Sequence, residues 1–316
     1  MIIENGKSSL ISIVIVNWNS GDQLRTCIES IGKYNSGLMC DVVVVDNGST
    51  DHSADFLVAH SEVTLIRSGS NLGFGRACNL GAAHENSEFL LFLNPDAALL
   101  PESLQTALAY LQDSENAQVG VCGVRLLDET NQVARSCARF PSPMGFAAHA
   151  VGLIRLFPQL GHFMAEWPHD QTREVDHVIG AFFFVRQSVF EQLGGFDERF
   201  FVYFEDVDFS YRARQAGWRS VYLAQAQAFH AGGGTSNQIK ARRLFYSLRS
   251  RLLYAFKHFS VPSALLVLLT TLLVEPFTRT AFGLLRRSWP AVKETWSGYA
   301  MLWRWLPQWI FNGVTR

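Results

Sequence analysis

The chain has 316 residues, 27 of them lysine or arginine and 28 aspartate or glutamate, enough for one large domain of roughly 230 residues and an appendage. The near-neutral total conceals an acidic body and a basic tail: residues 1–236 hold 15 basic and 26 acidic side chains, residues 237–316 hold 12 and 2, and such a tail suits nucleic acid or an anionic membrane surface. Cys27, Cys40, Cys78, Cys122 and Cys137 are scattered without paired spacing, which excludes a disulfide framework and predicts reduced core thiols. The start, MIIENGKSS, has no basic region followed by a long apolar stretch, so no secretory signal is expected and the body should stay in the cytosol.

Ser12–Val16 is a short β-branched run that predicts a strand, and Leu24, Cys27, Ile28 and Ile31 then follow helical spacing. Val42–Val45 predicts a second strand; it ends in Asp46-Asn47-Gly48-Ser49-Thr50-Asp51, whose hydroxyls and carboxylates suit the start of a helix through about residue 59. Val63–Ile66 is a third strand, followed by a glycine-bearing loop over 68–75 and a helix near 76–85. Phe89–Leu93, five apolar residues without a charge, reads as a central strand buried on both faces of a parallel sheet. It stops at Asn94-Pro95-Asp96, which places Asp96 at the carboxyl edge, where open α/β sheets bind ligands. A helix begins near Pro101. This alternation predicts right-handed βαβ units, an α/β fold with a mostly parallel sheet, and polar loops along one edge.

Further on, Gly120–Leu127 and Gln132–Arg135 read as strands, and residues 137–176 form an irregular insertion of the functional or mobile kind. Val178–Val185 predicts another buried strand, with a short helix to about Leu193. Glu205 and Asp206 open a helix that ends at Gly217, carboxylates being favourable at a helix amino terminus. Ser220–Leu223 is a short strand, and Phe229-His230 precedes the glycine run 232–234. Over Asn237–His258, Lys240, Arg242, Arg243, Arg249, Arg251 and Lys257 interleave with apolar residues, which predicts a basic amphipathic helix. Val261–Val274 is apolar but only 14 residues long and ends at Glu275-Pro276, short of the roughly 20 that cross a bilayer. Trp289, Trp296, Trp303, Trp305 and Trp309 follow, rings suited to the headgroup region. The tail is therefore expected to lie on a membrane, or to dip into it as a helical hairpin, and not to bind nucleic acid.

The runs VIVNWN at 14–19, VVVDNGSTD at 43–51, NLGFGRACNLG at 71–81, LFLNPDA at 91–97, GAFFFVR at 180–186, GGFDERFFVYFEDVDFSYRARQAGW at 194–218 and FHAGGGTS at 229–236 together resemble glycosyltransferase family 2, and within it the rhamnosyltransferase-like branch. The resemblance covers about residues 11–236. It implies a GT-A glycosyltransferase domain over 1–236, with 237–316 as a helical membrane-associated tail. It also implies transfer of a sugar, with inversion, from a dTDP- or UDP-linked donor to an acceptor hydroxyl. The best-fitting donor is dTDP-L-rhamnose. The implied acceptor is a polyprenyl-diphosphate-linked or growing cell-surface glycan at the inner face of the cell membrane.

By the same resemblance Asp96 is a ligand to a divalent metal, Mn or Mg, in a single-carboxylate version of the family's DxD motif, with Asn94 in place of the first aspartate and His230 as second ligand. The physical reason is that a diphosphate leaving group builds negative charge, which a cation stabilises. Hard cations take oxygen ligands, and an imidazole suits Mn better than Mg. Asp46 is expected to accept the imide N–H of uracil or thymine, Asn17 and Asn71 to line the same crevice, and Gly73 and Gly75 to let the backbone approach the nucleotide. Asp206 is the expected general base and Glu205 its orienting neighbour. Without the resemblance, Asp46 and Asp96 read equally as helix caps and His230 as a structural histidine. Asp208 reads as a solvated pair with Arg212 at i+4, and Asp197 as fixing the Gly-Gly-Phe turn.

Two other classes compete. A nicotinamide-dependent oxidoreductase on a Rossmann sheet is opposed by NWNSGD, which lacks the glycine fingerprint at the first strand-to-helix turn. A catalytically inactive glycan-binding protein is opposed by the joint presence of Asp46, Asp96, Asp206 and His230.

Overall fold

The structure, a computed structural model, describes residues 9–35, 37–84, 86–164, 166–232 and 240–315. The signal expected absent before Ser9, most of the glycine run 232–234, the boundary at 236/237 and the start of the basic helix lie outside the described residues. The first part of the chain is β1 (Ile11–Asn17), α1 (Gln23–Tyr34), β2 (Cys40–Asp46), β3 (Val63–Arg67), α2 (Phe74–Ala82), β4 (Phe89–Leu93), β5 (Ala97–Leu99) and α3 (Ser103–Gln112). Next come β6 (Val119–Leu127), β7 (Cys137–Ala138), α4 (Pro143–Ala150), β8 (Arg173–Val175), β9 (His177–Val178), β10 (Phe182–Arg186), α5 (Gln187–Gln192), α6 (Glu205–Gln215) and β11 (Arg219–His230). The tail is α7 (Lys240–His258), α8 (Val261–Leu269), α9 (Glu275–Leu285) and α10 (Trp289–Asn312).

One sheet runs in the order β3-β2-β1-β4-β10-β6-β11-β5, with β8 added against β11. Strands β1 to β4 pair in parallel, each helix returning the chain to the edge where strands begin. Beyond β4 the sheet is mixed, because β10 runs antiparallel to both β4 and β6. The irregular insertion, and not a crossing helix, joins β6 to β10, so the chain enters β10 from the edge where β6 ended. Along β1 the side chains alternate. Ile11, Ile13 and Ile15 pack with Leu24, Cys27, Leu104 and Leu108 on one face, and Val14 and Val16 with Ala77, Cys78 and Phe92 on the other. All five residues of β4 are buried, as its place between β1 and β10 requires.

Several elements differ from expectation. Gln132–Arg135 is no strand: Val133 makes a single bridge to Leu127, and the Asp128 carboxylate accepts the N–H groups of Thr130 and Gln132, closing a turn. The helix expected before residue 59 is a short 3-10 turn, Asp55–Ala59. The short strand at Ser220 extends to His230, with a register shift against β6 between Leu223 and Gln227. Its Ala-Gln-Ala-Gln-Ala stretch carries little β-propensity, and pairing with β6 and β5 holds it extended.

The apolar tail segment does not end at Glu275-Pro276. A π-helical turn at Thr270–Val274 joins α8 to α9, giving a continuous 25-residue helix, Val261–Leu285, long and apolar enough to cross a membrane. Pro276 has no N–H for the carbonyl four residues back, and the wider turn just before it absorbs the mismatch. The tail also shares a core with the body: Leu248, Leu252 and Tyr254 of α7 and Tyr299, Leu302 and Trp305 of α10 cluster with Phe146, Phe200 and Val207. Half of the expected basic face of α7 turns inward. Arg249 and Arg251 are buried, and Lys257 reaches Asp197 and Asp208. Of the five tryptophans only Trp289 and Trp303 are exposed; Trp305 is core, stacked on Trp309 with its Nε1 donating to the Val314 carbonyl at 3.0 Å.

Candidate active site

The parallel half of the sheet brings three strand ends side by side, with Asn17 paired in register to Asp46 and Asp46 to Arg67. Asn17 is fully buried, and its amide reaches Ser49 Oγ at 3.0 Å, Ser53 Oγ at 2.9 Å and Asp46 Oδ1 at 3.4 Å. It holds the loop after β2 in place. Asp46 Oδ1 accepts the Ser49 N–H at 3.3 Å, and Oδ2 faces Arg67 Nη1 at 3.4 Å, so one edge of the carboxylate is oriented from beneath. The 3-10 turn that follows has Ala54 at its N-cap without a side-chain bond, so Asp46 caps no helix. Asn71 Oδ1 accepts the Gly73 N–H at 2.9 Å and an Asn47 Nδ2 hydrogen at 3.2 Å, and Asn47 Oδ1 accepts the Leu72 N–H at 2.8 Å.

Gly73 has φ +87°, and a Cβ there would lie 2.4 Å from the Phe201 carbonyl; at Gly75 it would lie 3.3 Å from Phe196 Cβ and 3.4 Å from Glu205 Cβ. What the missing side chains admit is the chain's own 196–205 segment, docked on the start of α2 with Phe74 N–H donating to Phe201 O at 2.6 Å. This differs from the expected approach to a nucleotide. It couples the loop after β3 to the start of α6. The Gly-Gly-Phe turn is likewise held by Asn79, which bonds the Phe196 N–H and carbonyl at 2.9 and 2.8 Å, while Asp197 binds Arg199 and Lys257 instead.

Asp96 follows β4 and precedes β5, which pairs antiparallel with the end of β11 so that Ala97 faces His230. The Ala231 N–H donates to the Asp96 carbonyl at 3.1 Å, and Asp96 Oδ1 lies 3.4 Å from His230 Nε2. The helix α3 is capped at Glu102, six residues on, so Asp96 is not its cap. One carboxylate oxygen and one imidazole nitrogen this close form a donor set that fits a single divalent cation, with further positions for diphosphate oxygens and water. Among the described residues no group of three or more acidic, histidine or cysteine side chains converges.

Gly180 and Ala181, just before β10, join this loop to α6. The Ala181 carbonyl accepts the Asn94 N–H at 3.1 Å, and the Gly180 N–H donates to Asp206 Oδ2 at 2.9 Å. Asp206 Oδ1 accepts the Val207 N–H at 2.9 Å. Burial pushes both carboxyls of the acidic pair upward, and the Asp206 charge pushes Glu205 further, well above the usual range. Two backbone N–H bonds oppose the rise at Asp206, whereas Glu205 Oε2 is buried without a partner among the described residues. Both carboxyls are thus shifted toward the protonated form, Glu205 further than Asp206. Tyr203 and Phe204 enter α6 with φ of +67° and +73°, a left-handed pair that non-glycine residues seldom adopt. The Phe204 ring packs on Phe146 and on Tyr254 of α7, so the tail supports this turn.

The glycosyl transferase family 2 model matches residues 12–194. The chain belongs to glycosyltransferase family 2. It is similar to the N-acetylglucosaminyl-diphospho-decaprenol L-rhamnosyltransferase of Mycobacterium tuberculosis, 31% identical over 248 residues that cover 71% of this chain and 76% of that protein. It is also similar to the rhamnosyltransferase WbbL of Escherichia coli, 25% identical over 256 residues that cover 78% and 92%. Among solved structures, the mannosyltransferase PcManGT from Pyrobaculum calidifontis, in complex with GDP-Man and Mn2+, matches 97% of this chain and 88% of its own, with a TM-score of 0.55 at 18% identity. Residues 1–349 of S. aureus TarS match with a TM-score of 0.52 at 14% identity, over 95% and 91%. The fold is thus a mixed α/β GT-A fold.

Within this family-2 chain, Arg67, Asn47, His162 and His177 lie near the expected site without a role assigned to them from the sequence. Arg67 reaches Asp46 and Asp55, and Asn47 braces Asn71, Leu72 and Gly73. His177 Nε2 lies 3.8 Å from Asp206 Oδ2, and the His177 ring stacks on His162 at 5.9 Å. Burial lowers His177 to about 3 and His162 to about 4, which favours the neutral imidazole in both. His162 comes from the irregular insertion and His177 from the short strand β9 that directly follows it, where no period exists to place a side chain.

Proposed function

We propose that this chain transfers L-rhamnose from dTDP-rhamnose, with inversion, to a hydroxyl of a polyprenyl-diphosphate-linked saccharide at the inner face of the cell membrane. The observation that carries this is the link through Gly180 and Ala181, whose backbone groups bond both Asp206 and the loop bearing Asp96, with His230 at the end of β11 lying 3.4 Å from the Asp96 carboxylate. Asp46 serves the base at the far end of the same sheet edge. The acceptor hydroxyl attacks the anomeric carbon, Asp206 takes its proton, and the bond to the diphosphate breaks with the electron pair leaving on oxygen. A single displacement needs no enzyme nucleophile. Asp96 and His230 would hold a divalent cation, which supplies charge stabilisation for the leaving diphosphate. Both rhamnosyltransferases similar to this chain support the choice of sugar, and the decaprenol-linked substrate in the name of one supports the acceptor.

The test is turnover of a panel of dTDP-, UDP- and GDP-sugars with a farnesyl-diphosphate-linked N-acetylglucosamine acceptor, in Mn2+ or in EDTA. Product is expected from dTDP-rhamnose in Mn2+ only, and Asp96→Ala should weaken dTDP binding in Mn2+ at least tenfold by calorimetry. Another preferred sugar would overturn the donor assignment, and equal turnover in EDTA would overturn the metal.

The membrane part of the proposal rests on surface. Leu265, Leu269, Leu273 and Phe277 recur at i+4 along Val261–Leu285 and are exposed, the last two at 62% each. The insertion packs against this helix through α4 and exposes Met144, Leu153, Leu156, Phe157 and Leu160 beyond it. A soluble monomer seldom presents so much contiguous apolar surface. Glu275, in the same helix, is buried against Arg251 and Arg279, which ties the helix to the body and favours lying on the bilayer over crossing it. Replacing Leu269, Leu273 and Phe277 by glutamate together should abolish sedimentation with anionic vesicles. Salt should only reduce binding of the parent, since Lys240, Arg242 and Arg243 are screened and the apolar face is not. Undiminished sedimentation of the triple variant would rule this face out.

A further inference from the structure

Helices α7 and α10 meet the loop of residues 70–72 around a cleft of about 620 Å³. Arg76, Arg249 and Arg304 line it, Arg76 being 3.5 Å from the Glu198 carboxylate, and among the described residues no carboxylate lines it. Arg249 is 3% exposed, its guanidinium lies 5.1–5.4 Å from the ring centroids of Phe201, Phe245 and Tyr246, and its Nε and Nη2 have no hydrogen-bond partner among the described residues. The other inward basic residues of α7 differ. Arg251 is buried against Glu275, and Lys257 bridges Asp197 and Asp208. Burial without a carboxylate lowers Arg249 to about 10, still a cation at neutral pH. A buried, unpaired charge is costly, and a guanidinium fork matches phosphate oxygens.

We propose that this cleft binds the diphosphate of an isoprenoid-linked acceptor, with Arg249 on its oxygens and Arg304 at the mouth. This rests on the acceptor class proposed above and adds where its charged group sits. The cleft shares Asn71 with the nucleotide edge and Phe201 with the segment leading into Glu205, so a diphosphate there lies beside both halves of the site. Arg304, Gln308 and Phe311 recur at i, i+4 and i+7 on α10, and Phe311 is 81% exposed, so an isoprenoid chain leaving the cleft meets an apolar side chain one turn on.

The experiment is calorimetry on the full chain in Mn2+ with saturating dTDP, using farnesyl diphosphate, farnesol and inorganic diphosphate as probes. Farnesyl diphosphate is expected to bind beside dTDP, more tightly than either other probe, and Arg249→Met should weaken it at least tenfold. Arg249→Lys, which keeps the charge without the fork, should fall between. Arg304→Gln, more exposed and safe for folding, should weaken the same probe severalfold and provides the readout if Arg249→Met does not fold. Competition with dTDP would assign the anion site to the donor and overturn the inference. So would equal binding of farnesol, equal binding of inorganic diphosphate, or no effect of either arginine variant. The transfer reading fails separately, if dTDP itself does not bind; the dependence of farnesyl diphosphate on Arg249 is then measured without it.

Discussion

Asp206→Asn is expected to lower kcat by about 10²–10⁴, the usual worth of a positioned general base, with little change in dTDP affinity. Both oxygens of Asp206 accept backbone N–H groups, from Gly180 and Val207, so an amide in that place turns its NH2 toward one of them. The variant should therefore also lose about 1–3 kcal/mol of stability, the cost of a buried donor left without an acceptor. Glu205→Gln should cost far less, because burial and the Asp206 charge push Glu205 toward the protonated form, which an uncharged amide resembles. In the parent, kcat should rise with pH as Asp206 ionises, with a midpoint above the ordinary aspartate value of about 4, and Asp206→Asn should remove that limb. Transfer rates at saturating donor and acceptor across pH, with dTDP affinity by calorimetry, decide the matter. If Glu205→Gln is the inactive variant and Asp206→Asn turns over near the parent rate, the two roles are exchanged.

Asp208→Asn should destabilise the protein by about 3–5 kcal/mol, the range for breaking a buried charge cluster from one side. A solvated i+4 pair, which is all that Asp208 and Arg212 suggest in the sequence, would be worth about 0.2–0.5 kcal/mol. In the fold Asp208 is fully buried, with Arg212 Nε at 2.8 Å, His258 Nε2 at 2.7 Å and Lys257 Nζ on the same carboxylate. Lys257 also holds Asp197 at 2.7 Å, so these residues clamp α6 to α7. Burial alone would raise Asp208; the His258 bond and the Arg212 and Lys257 charges outweigh it and hold it below the usual carboxylate range. Its contribution is thus complete above the unfolded value near about pH 4 and is lost as pH falls through the lower folded value. Urea unfolding at pH 7 and at pH 3 should show a smaller gap between parent and variant at the lower pH. A gap under about 0.5 kcal/mol at pH 7 would return Asp208 to the surface-pair class. The same clamp means that a chain cut near residue 236 uncovers Phe200 and Val207 and leaves Asp208 with only Arg212, so the tail's membrane role is better tested by substitution than by truncation.

The amino-terminal half was legible because its information is local. The β-branched run Ser12–Val16, the uncharged run Phe89–Leu93 and the helical spacing after the first strand specify βαβ units, and parallel pairing then places Asn17, Asp46 and Asp96 on one edge without further input. The GT-A assignment followed from motifs in the right order. What only the tertiary structure decided depends on partners distant in sequence. Gly73 admits Phe201, and Asp208 is buried by Lys257 and His258, forty-nine and fifty residues on. A basic amphipathic pattern records that Arg249, Arg251 and Lys257 lie on a helix, but not whether the surface they meet is a bilayer, a carboxylate or an aromatic cleft. Helical periodicity encodes a face and not its neighbour; the neighbour is set by packing, which brought Glu275 to Arg251, Asp197 and Asp208 to Lys257, and three aromatic rings to Arg249.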